Sequence, residues 1–463
     1  MKKIWVRYMI LILLGVSAAV SCKVTKPYKT PVMHIDSLYR DSSATDTNTI
    51  ADLHWTQLFT DTLLQKLIQE GIDQNINLKV AYTRMQQAYA YLEQSKLAFY
   101  PSLTADAGVS AARSATTKTT GSSNSNTLYQ LGASVGWEAD IWGKLRSNKR
   151  ANLANLLQSD AYARVVQTDL IATIADDYYS LLALDKQLQI TQQTVQNWIA
   201  TVEIMKSLKE ADVVTSAAVV QSEASRYAVE VTIPDLKRNI RETENALSIL
   251  LGRVPGPVER DSLAAQQPIS MLQTGVPAQL LSNRPDVQQA EYNFRYSFEL
   301  TNVARTYFYP SLTINASGGF NGTSLGNLFN PGSLVGSIAA GLFQPIFSQG
   351  VNRTRLKVAR AQQQEALLNF QQTLLTAGLE VSNFLSDYQA ALEKTNARDN
   401  QMVNLQKAVE YTQELVRYSS ANYTEVLTAQ QSLLSAQLNQ VNDQLQKLQA
   451  NTNLYRALGG GWK

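Results

Sequence analysis

Along residues 367–391, Leu367, Phe370, Leu374, Ala377, Val381, Phe384, Tyr388 and Ala391 recur at alternating spacings of three and four. That is a heptad seam, which needs a long helix and a neighbour to cover it. No proline interrupts residues 346–463 or 102–233, so nothing in either stretch breaks a helix. A helix from about Leu145 to Leu208 would be roughly 100 Å long at 1.5 Å per residue. Such a rod cannot fold back into a compact globule. Elsewhere the period changes from 3.5 to two. Leu103, Ala105, Ala107 and Val109 alternate with polar residues, as do Leu131, Ala133, Val135 and Trp137. Leu312, Ile314 and Ala316 repeat the pattern, followed by Val335 to Phe343. These predict two hairpins with strands of about ten residues, the length of a tilted membrane-crossing strand. Ser110 to Thr127 is almost wholly Ser, Thr, Asn, Gly and Ala and is expected to be the loop of the first. Asn330-Pro331-Gly332 marks the loop of the second.

Both hairpins follow one hexapeptide. Phe-Tyr-Pro-Ser-Leu-Thr occurs at residues 99–104 and again at 308–313. The halves end on similar segments, Leu247 to Gly252 and Leu454 to Gly459, which keep the same offset to within two residues. The chain is therefore a tandem duplication. Upstream, an amphipathic helix is expected over Gln57 to Gln69, ended by Gly71, and a second from Asn75 to about Ala98. The repeat mate of the second is expected from Arg284-Pro285-Asp286 to about Phe308, with Pro285 in the first turn. Pro101 and Pro310 end these helices, and Gly143 and Gly350 allow the turns from strand back into helix.

Four strands per chain leave two open edges, and lipid tolerates no unpaired backbone. Closed barrels need about eight strands or more, so two or more chains must combine. This counting leaves eight and twelve strands both open.

Composition narrows the chemistry. The 463 residues carry a net charge of +3, a single cysteine and two histidines, His34 and His54. No basic patch argues for nucleic acid, no phosphate-binding Gly-x-x-x-x-Gly-Lys-Ser/Thr is present, and no cofactor is expected. Asp176-Asp177 invites an acid–base reading, but adjacent helical residues project about 100° apart, so a polar helix face is expected. Residues 1–21 read as a secretory signal: Lys2, Lys3 and Arg7 precede an apolar run from Tyr8 to Val20. Ala19-Val20-Ser21-Cys22 then has the form of a bacterial lipobox, with Cys22 as the acylated first residue of the mature chain.

These features meet in one family. The chain resembles the TolC-like outer-membrane factors, specifically the lipoprotein branch serving tripartite RND-type efflux pumps. The resemblance rests on Leu281-Ser282-Asn283-Arg284-Pro285-Asp286-Val287 and Tyr423-Thr424-Glu425-Val426-Leu427-Thr428-Ala429-Gln430. The duplicated Tyr-Pro-Ser-Leu and the terminal Ala457-Leu458-Gly459-Gly460-Gly461-Trp462 add to them. The resemblance implies a membrane α+β protein: a trimeric twelve-stranded β-barrel in the outer membrane, continued by a long α-helical periplasmic tube. It implies a periplasmic adaptor and an inner-membrane RND transporter as partners, and passive export of drugs or other small molecules rather than catalysis. A type I protein secretion duct is the alternative. The implied organisation is a signal peptide (1–21), a lipidated extended segment (22–55), a first repeat (56–252) with its hairpin at about 102–142, an equatorial linker (253–280), and a second repeat (281–463) with its hairpin at about 311–347.

In this family the turns at the periplasmic tips meet the adaptor and form the gate. Here they fall at Ala211-Asp212-Val213 and Tyr418-Ser419-Ser420, where Asp212 and Ser419 replace the usual glycine. The acid expected six residues after each glycine is Ala218 in the first turn and Glu425 in the second. Glu425 is either a solvated residue near a helix N-terminus or one of three carboxylates lining a cation-favouring constriction. Arg417 is a candidate for holding the gate closed through an acid on a neighbouring helix. Trp137, Trp142, Phe343 and Phe347, near the strand ends, suit an interfacial aromatic girdle or packing between barrel and tube.

Overall fold

The computed structural model describes residues 24–33, 38, 49–113, 125–267, 279–418 and 423–463. The signal peptide, Cys22, Ser419 and Ser420 lie outside the described residues. The first repeat begins with the short α1 (Trp55–Leu58), α2 (Thr62–Gln74) and α3 (Ile76–Leu97), then β1 (Ser102–Arg113), β2 (Ser125–Ala139) and the 67-residue α4 (Lys144–Glu210). It returns through α5 (Ser216–Glu230) and α6 (Thr232–Leu250). The second repeat runs α7 (Leu280–Asn283), α8 (Pro285–Thr306), β3 (Ser311–Gly322), β4 (Leu334–Phe343), the 67-residue α9 (Val351–Arg417) and α10 (Tyr423–Ala457). Compactness divides the chain into two units, with α4 and α9 passing from one to the other.

One unit holds the sheet. The two hairpins join through β2 and β3 into an antiparallel sheet of order β1-β2-β3-β4. Its register keeps like residues together: Leu103 opposes Val135, Ala107 opposes Leu131, Leu131 opposes Phe320, and Phe320 opposes Leu334. Since side chains alternate along a strand, these form one continuous apolar face. The other face pairs Thr104 with Ser134, Ser134 with Ser317 and Ser317 with Ser337. There the Thr104 and Ser134 hydroxyls lie 2.7 Å apart, and those of Ser317 and Ser337 2.8 Å apart. An apolar face for lipid and a hydroxyl- and glycine-rich face for water are what a membrane barrel requires. β1 and β4 have no strand partner on their outer edges among the described residues.

The first loop is shorter than its composition suggests. Strand pairing continues to Arg113 and resumes at Ser125, because Ser110, Ala111 and Ala112 keep a full ladder opposite Leu128, Thr127 and Asn126. The duplicated hexapeptide plays the same part twice. Phe99 and Tyr100 donate their N–H groups to Lys96 and Leu97, Phe308 and Tyr309 to Arg305 and Thr306, closing each helix before the proline. On the way out, Gly143 and Gly350 take φ values of +79° and +82°, a region in which a side chain is strained. Of the aromatics at these ends, Trp142 donates its indole N–H to the Pro310 carbonyl at 2.7 Å and Trp137 to that of Phe99 at 2.9 Å. The two tryptophans thus brace the helix–strand junctions, while Phe343 and Phe347 stay exposed. Below the sheet, Arg150 on α4 clasps the buried Glu299 on α8 at 2.7 and 3.0 Å. Asn302 holds the N-terminal segment, accepting from the Lys26 N–H and donating to its carbonyl.

The second unit is helical. Asp61 caps α2 by accepting from the Leu63 and Leu64 N–H groups. The helix does not stop at Gly71 but runs to Gln74. Gly71 serves packing: a Cβ there would lie 2.4 Å from Cδ1 of Ile174 on α4. The return arm of the first repeat is two helices, because Pro234 has no N–H to continue the ladder from α5 into α6. Its counterpart α10 is unbroken. The heptad seam is buried as expected, with Phe370, Leu374, Ala377, Val381, Tyr388 and Ala391 all inside.

Two distant signatures meet here. Arg284 is 6% exposed and donates to the Ala457 carbonyl at 2.8 Å and to Asp286 at 2.9 and 2.6 Å, with Glu380 of α9 at 2.8 Å. Gly459, at φ +94°, passes so close that a Cβ would lie 2.5 Å from the Asn283 carbonyl. Trp462 donates to that same carbonyl at 2.9 Å. The chain's last residues thus lock onto the start of α8. Asp176, on a polar stretch of α4, packs against α10 and accepts from Nδ2 of Asn453 at 2.9 Å. Its other carboxyl oxygen is buried without a partner among the described residues. Burial pushes its pKa up to about 7, against the lowering effect of Asn453 and Arg456. Burial raises the pKa of Asp177 as well.

Candidate functional site

The two interhelical turns close the helical unit, each in its own way. α4 ends in a left-handed residue, Asp212, at φ +56°. The Val213 N–H reaches back to the Leu208 carbonyl at 2.9 Å and that of Asp212 to Lys209 at 3.0 Å, the helix-closing pattern that favours glycine. Aspartate is among the few other residues that tolerate this conformation. Asp212 therefore supplies the turn geometry expected of the missing glycine, with Ala211 before it and a half-exposed Val213 after it. In the second turn α9 ends at Arg417 and Tyr418 stands exposed, its N–H bonded to the Glu414 carbonyl at 3.2 Å.

Glu425 and Ala218 occupy the third position of α10 and α5 respectively. Their environments differ. Ala218 is fully buried, whereas Glu425 is exposed in the first turn of α10, free to meet a neighbouring chain or an aqueous path.

Under the turns, the inner faces of four helices converge. Met205, Val416 and Val426 form a small core with Leu208, Val219 and Tyr423 against it. The next layer holds Val195, Trp198, Val229, Leu427 and Leu434. The signature Tyr423 to Gln430 is thereby explained: Tyr423, Val426, Leu427 and Gln430 stand at i, i+3, i+4 and i+7 and all face inward. Only Glu425 and Thr428 of that segment point fully out. A polar element missed in the sequence lies between the two layers. Gln430 donates to the Thr201 hydroxyl at 2.9 Å, while its carbonyl oxygen and the Trp198 N–H are buried without a partner among the described residues. Both side chains line a cavity of about 240 Å³ with Gln193, Asn197 and Gln413. A buried Gln in a signature segment was the available signal.

Among the described residues of these turns, none assembles a nucleophile, a base or a metal-binding set; they are surfaces and packing. The similarity of the chain to known proteins agrees. A sequence model of the outer membrane efflux protein family matches residues 67–253 and 276–460, one segment for each repeat. The chain belongs to this family. Among outer membrane efflux proteins, the probable outer membrane lipoprotein SilC of Salmonella typhimurium is 27% identical over 437 residues, 93% of each chain. The toluene efflux pump outer membrane protein TtgI of Pseudomonas putida is 28% identical over 408 residues, 88% of this chain and 87% of that protein. The cation efflux system protein CusC of Escherichia coli is 26% identical over 458 residues, 96% and 97% of the two chains. The outer-membrane channel OprN superposes with a TM-score of 0.87 at 24% identity, over 95% of this chain and 100% of that one. The open state of the Neisseria gonorrhoeae MtrE outer membrane channel gives 0.85 at 24% identity, over 96% and 99%. The protein is an outer-membrane efflux channel of the TolC-like fold, not an enzyme.

Proposed function

We propose that the chain is the lipid-anchored, trimeric exit duct of a tripartite pump, docked through its helical turns to a periplasmic adaptor and served by an inner-membrane RND transporter. The observation that carries this reading is the four-stranded sheet, with one apolar face, one polar face and, among the described residues, two unpaired edges. Three chains of four strands close a twelve-stranded barrel and satisfy every edge. The duct itself supplies no energy. Its cargo follows from the pump that feeds it, in keeping with relatives whose names span cations, toluene and antibiotics. Cys22 anchors the mature N-terminus through its acyl chains. The turns Ala211-Asp212-Val213 and Tyr418-Ser419-Ser420 contact the adaptor, and Arg417 steadies the closed gate.

Pull-down of the tagged full-length protein from its own cell envelope tests the partners. An adaptor and an RND transporter are expected in the eluate; an ABC transporter with a secreted protein would instead assign the duct to type I secretion. The gate is tested by conductance in planar bilayers. Three Glu425 carboxylates around one constriction favour cations. Glu425→Gln should therefore move cation selectivity toward parity and relieve divalent-cation block. Unchanged reversal potentials in a salt gradient would reduce Glu425 to a solvated helix residue.

A further inference from the structure

The start of α9 carries an uncompensated charge. Its first ten residues include Arg353, Arg355, Lys357 and Arg360 and no acid. Arg353, Lys357 and Arg360 stand at i, i+4 and i+7, on one exposed helical face. Arg355 projects elsewhere, its guanidinium 3.9 Å from the centre of the Tyr307 ring. Arg305, in the last turn of α8, lies close enough that the Arg360 charge, after burial, lowers its pKa. Cations at a helix N-terminus oppose the macrodipole, and like charges at i, i+4 repel. Among the described residues, no carboxylate pairs with Arg353, Lys357 or Arg360.

The first repeat neutralises the same place. There Glu138 pairs with Lys144 at 3.0 Å, Asp140 with Arg146 at 2.9 Å, and Glu299 with Arg150 at 2.7 Å. Aligning Gly143 with Gly350 puts Pro345 and Phe347 where Glu138 and Asp140 stand. The second junction has thus exchanged both acids for apolar residues and Lys144 for Val351, while Arg353 and Lys357 keep the cations of Arg146 and Arg150. The apolar residues here face solvent: Ile346 is 98% exposed and Phe347 86%.

A bare apolar cluster at the end of a membrane strand, followed directly by a cationic helix face, has the composition of a membrane–water interface. A second copy of the chain is a poorer match. The carboxylates of this unit are mostly engaged already, Glu93 with Lys96, Glu138, Asp140 and Glu299 as above, and Glu291 with Tyr28 and Thr30.

We propose that the β4–α9 junction binds anionic phospholipid, with Ile346 and Phe347 in the acyl region and Arg353, Lys357 and Arg360 on the headgroup phosphates. This rests on the outer-membrane location of the channel and deepens it by naming the lipid class and the residues. At 1.5 Å per residue, Arg353 to Arg360 spans about 11 Å along the axis, and long cationic side chains reach toward the phosphates. In the first repeat the acids make the corresponding junction indifferent to lipid charge.

The test uses the full-length protein, equilibrated in detergent with equal amounts of phosphatidylglycerol and phosphatidylethanolamine and read by native mass spectrometry. The wild type should retain phosphatidylglycerol preferentially. The triple variant Arg353→Gln, Lys357→Gln, Arg360→Gln should lose that preference at unchanged oligomer mass. Lys144→Gln with Arg146→Gln, at the neutralised junction, should keep it. Equal retention of both lipids by the wild type, or undiminished phosphatidylglycerol on the triple variant, overturns the proposal. Dissociation of the triple variant into monomers also overturns it, since that would make the face a contact between copies.

Discussion

Arg284→Ala is expected to destabilise the folded protein by about 3 kcal/mol, the lower part of the range for breaking a buried ion pair. Burial alone would lower the pKa of this guanidinium, but Asp286 and Glu380 outweigh burial and raise it above its ordinary value. Truncation leaves the Ala457 carbonyl without its charged donor, and Glu380 and Asp286 without their counter-ion. Both carboxylates keep about a third of their side-chain surface exposed, so water relieves part of the loss. Arg284→Lys should fall between, because a single ammonium cannot serve Asp286 in a fork while also reaching Glu380 and a carbonyl. Urea-unfolding midpoints of the purified protein measure the effect. Arg238→Ala is the control, since its pairs are fully solvated and surface pairs contribute at most about 1 kcal/mol. Equal shifts for Arg284→Ala and Arg238→Ala would remove the joint from the account of stability.

The second large effect depends on pH. Asp176 titrates near 7 in the folded protein and near 4 when unfolded. Between those values the folded chain holds a proton that the unfolded chain has released. Stability contributed by the neutral carboxyl is therefore complete below about pH 4 and is lost as pH rises through 7. Three units correspond to at most about 4 kcal/mol, less where the partly open site admits water. Asp176→Asn keeps the acceptor for Asn453 and removes the titration. Its unfolding midpoint should exceed that of the wild type clearly at pH 8, by only about a third as much at pH 5, and match it at about pH 4. The same increment at all three pH values would place the titrating group elsewhere.

Much of this was legible in the sequence because long-period patterns survive in a simple architecture. The heptad from Phe370 to Ala391 predicted which side of α9 is buried, and the duplicated hexapeptide marked both helix-to-strand turns. Strand alternation predicted the apolar face, since the register puts Leu103, Val135 and Ala316 in one row. What escaped was information about partners. Periodicity says which face of a helix is covered, not by what, so Gly71 looked like a terminator until Ile174 was seen to fill its place. The polar face expected at Asp176 likewise did not say that Asn453 of α10 would cover it. The Leu281–Val287 and Ala457–Trp462 segments were visible as signatures, but no local rule says that residues so far apart in the chain build one joint. In the turns, Asp212 carried its own explanation in the backbone it tolerates, while the Trp198–Gln430 layer depended on three helices at once.

The break at Pro234 separates the two return arms in mechanical terms. α10 is a continuous hydrogen-bonded rod of 35 residues, whereas the first repeat answers it with segments of 15 and 19 joined through Val231. A rod resists bending along its whole length; a jointed arm concentrates bending where the ladder lacks a rung. Any flexing of the helical unit will therefore be taken up at residues 230–234 of the first repeat. Duplication supplied two similar limbs, and one missing amide hydrogen made only one of them compliant.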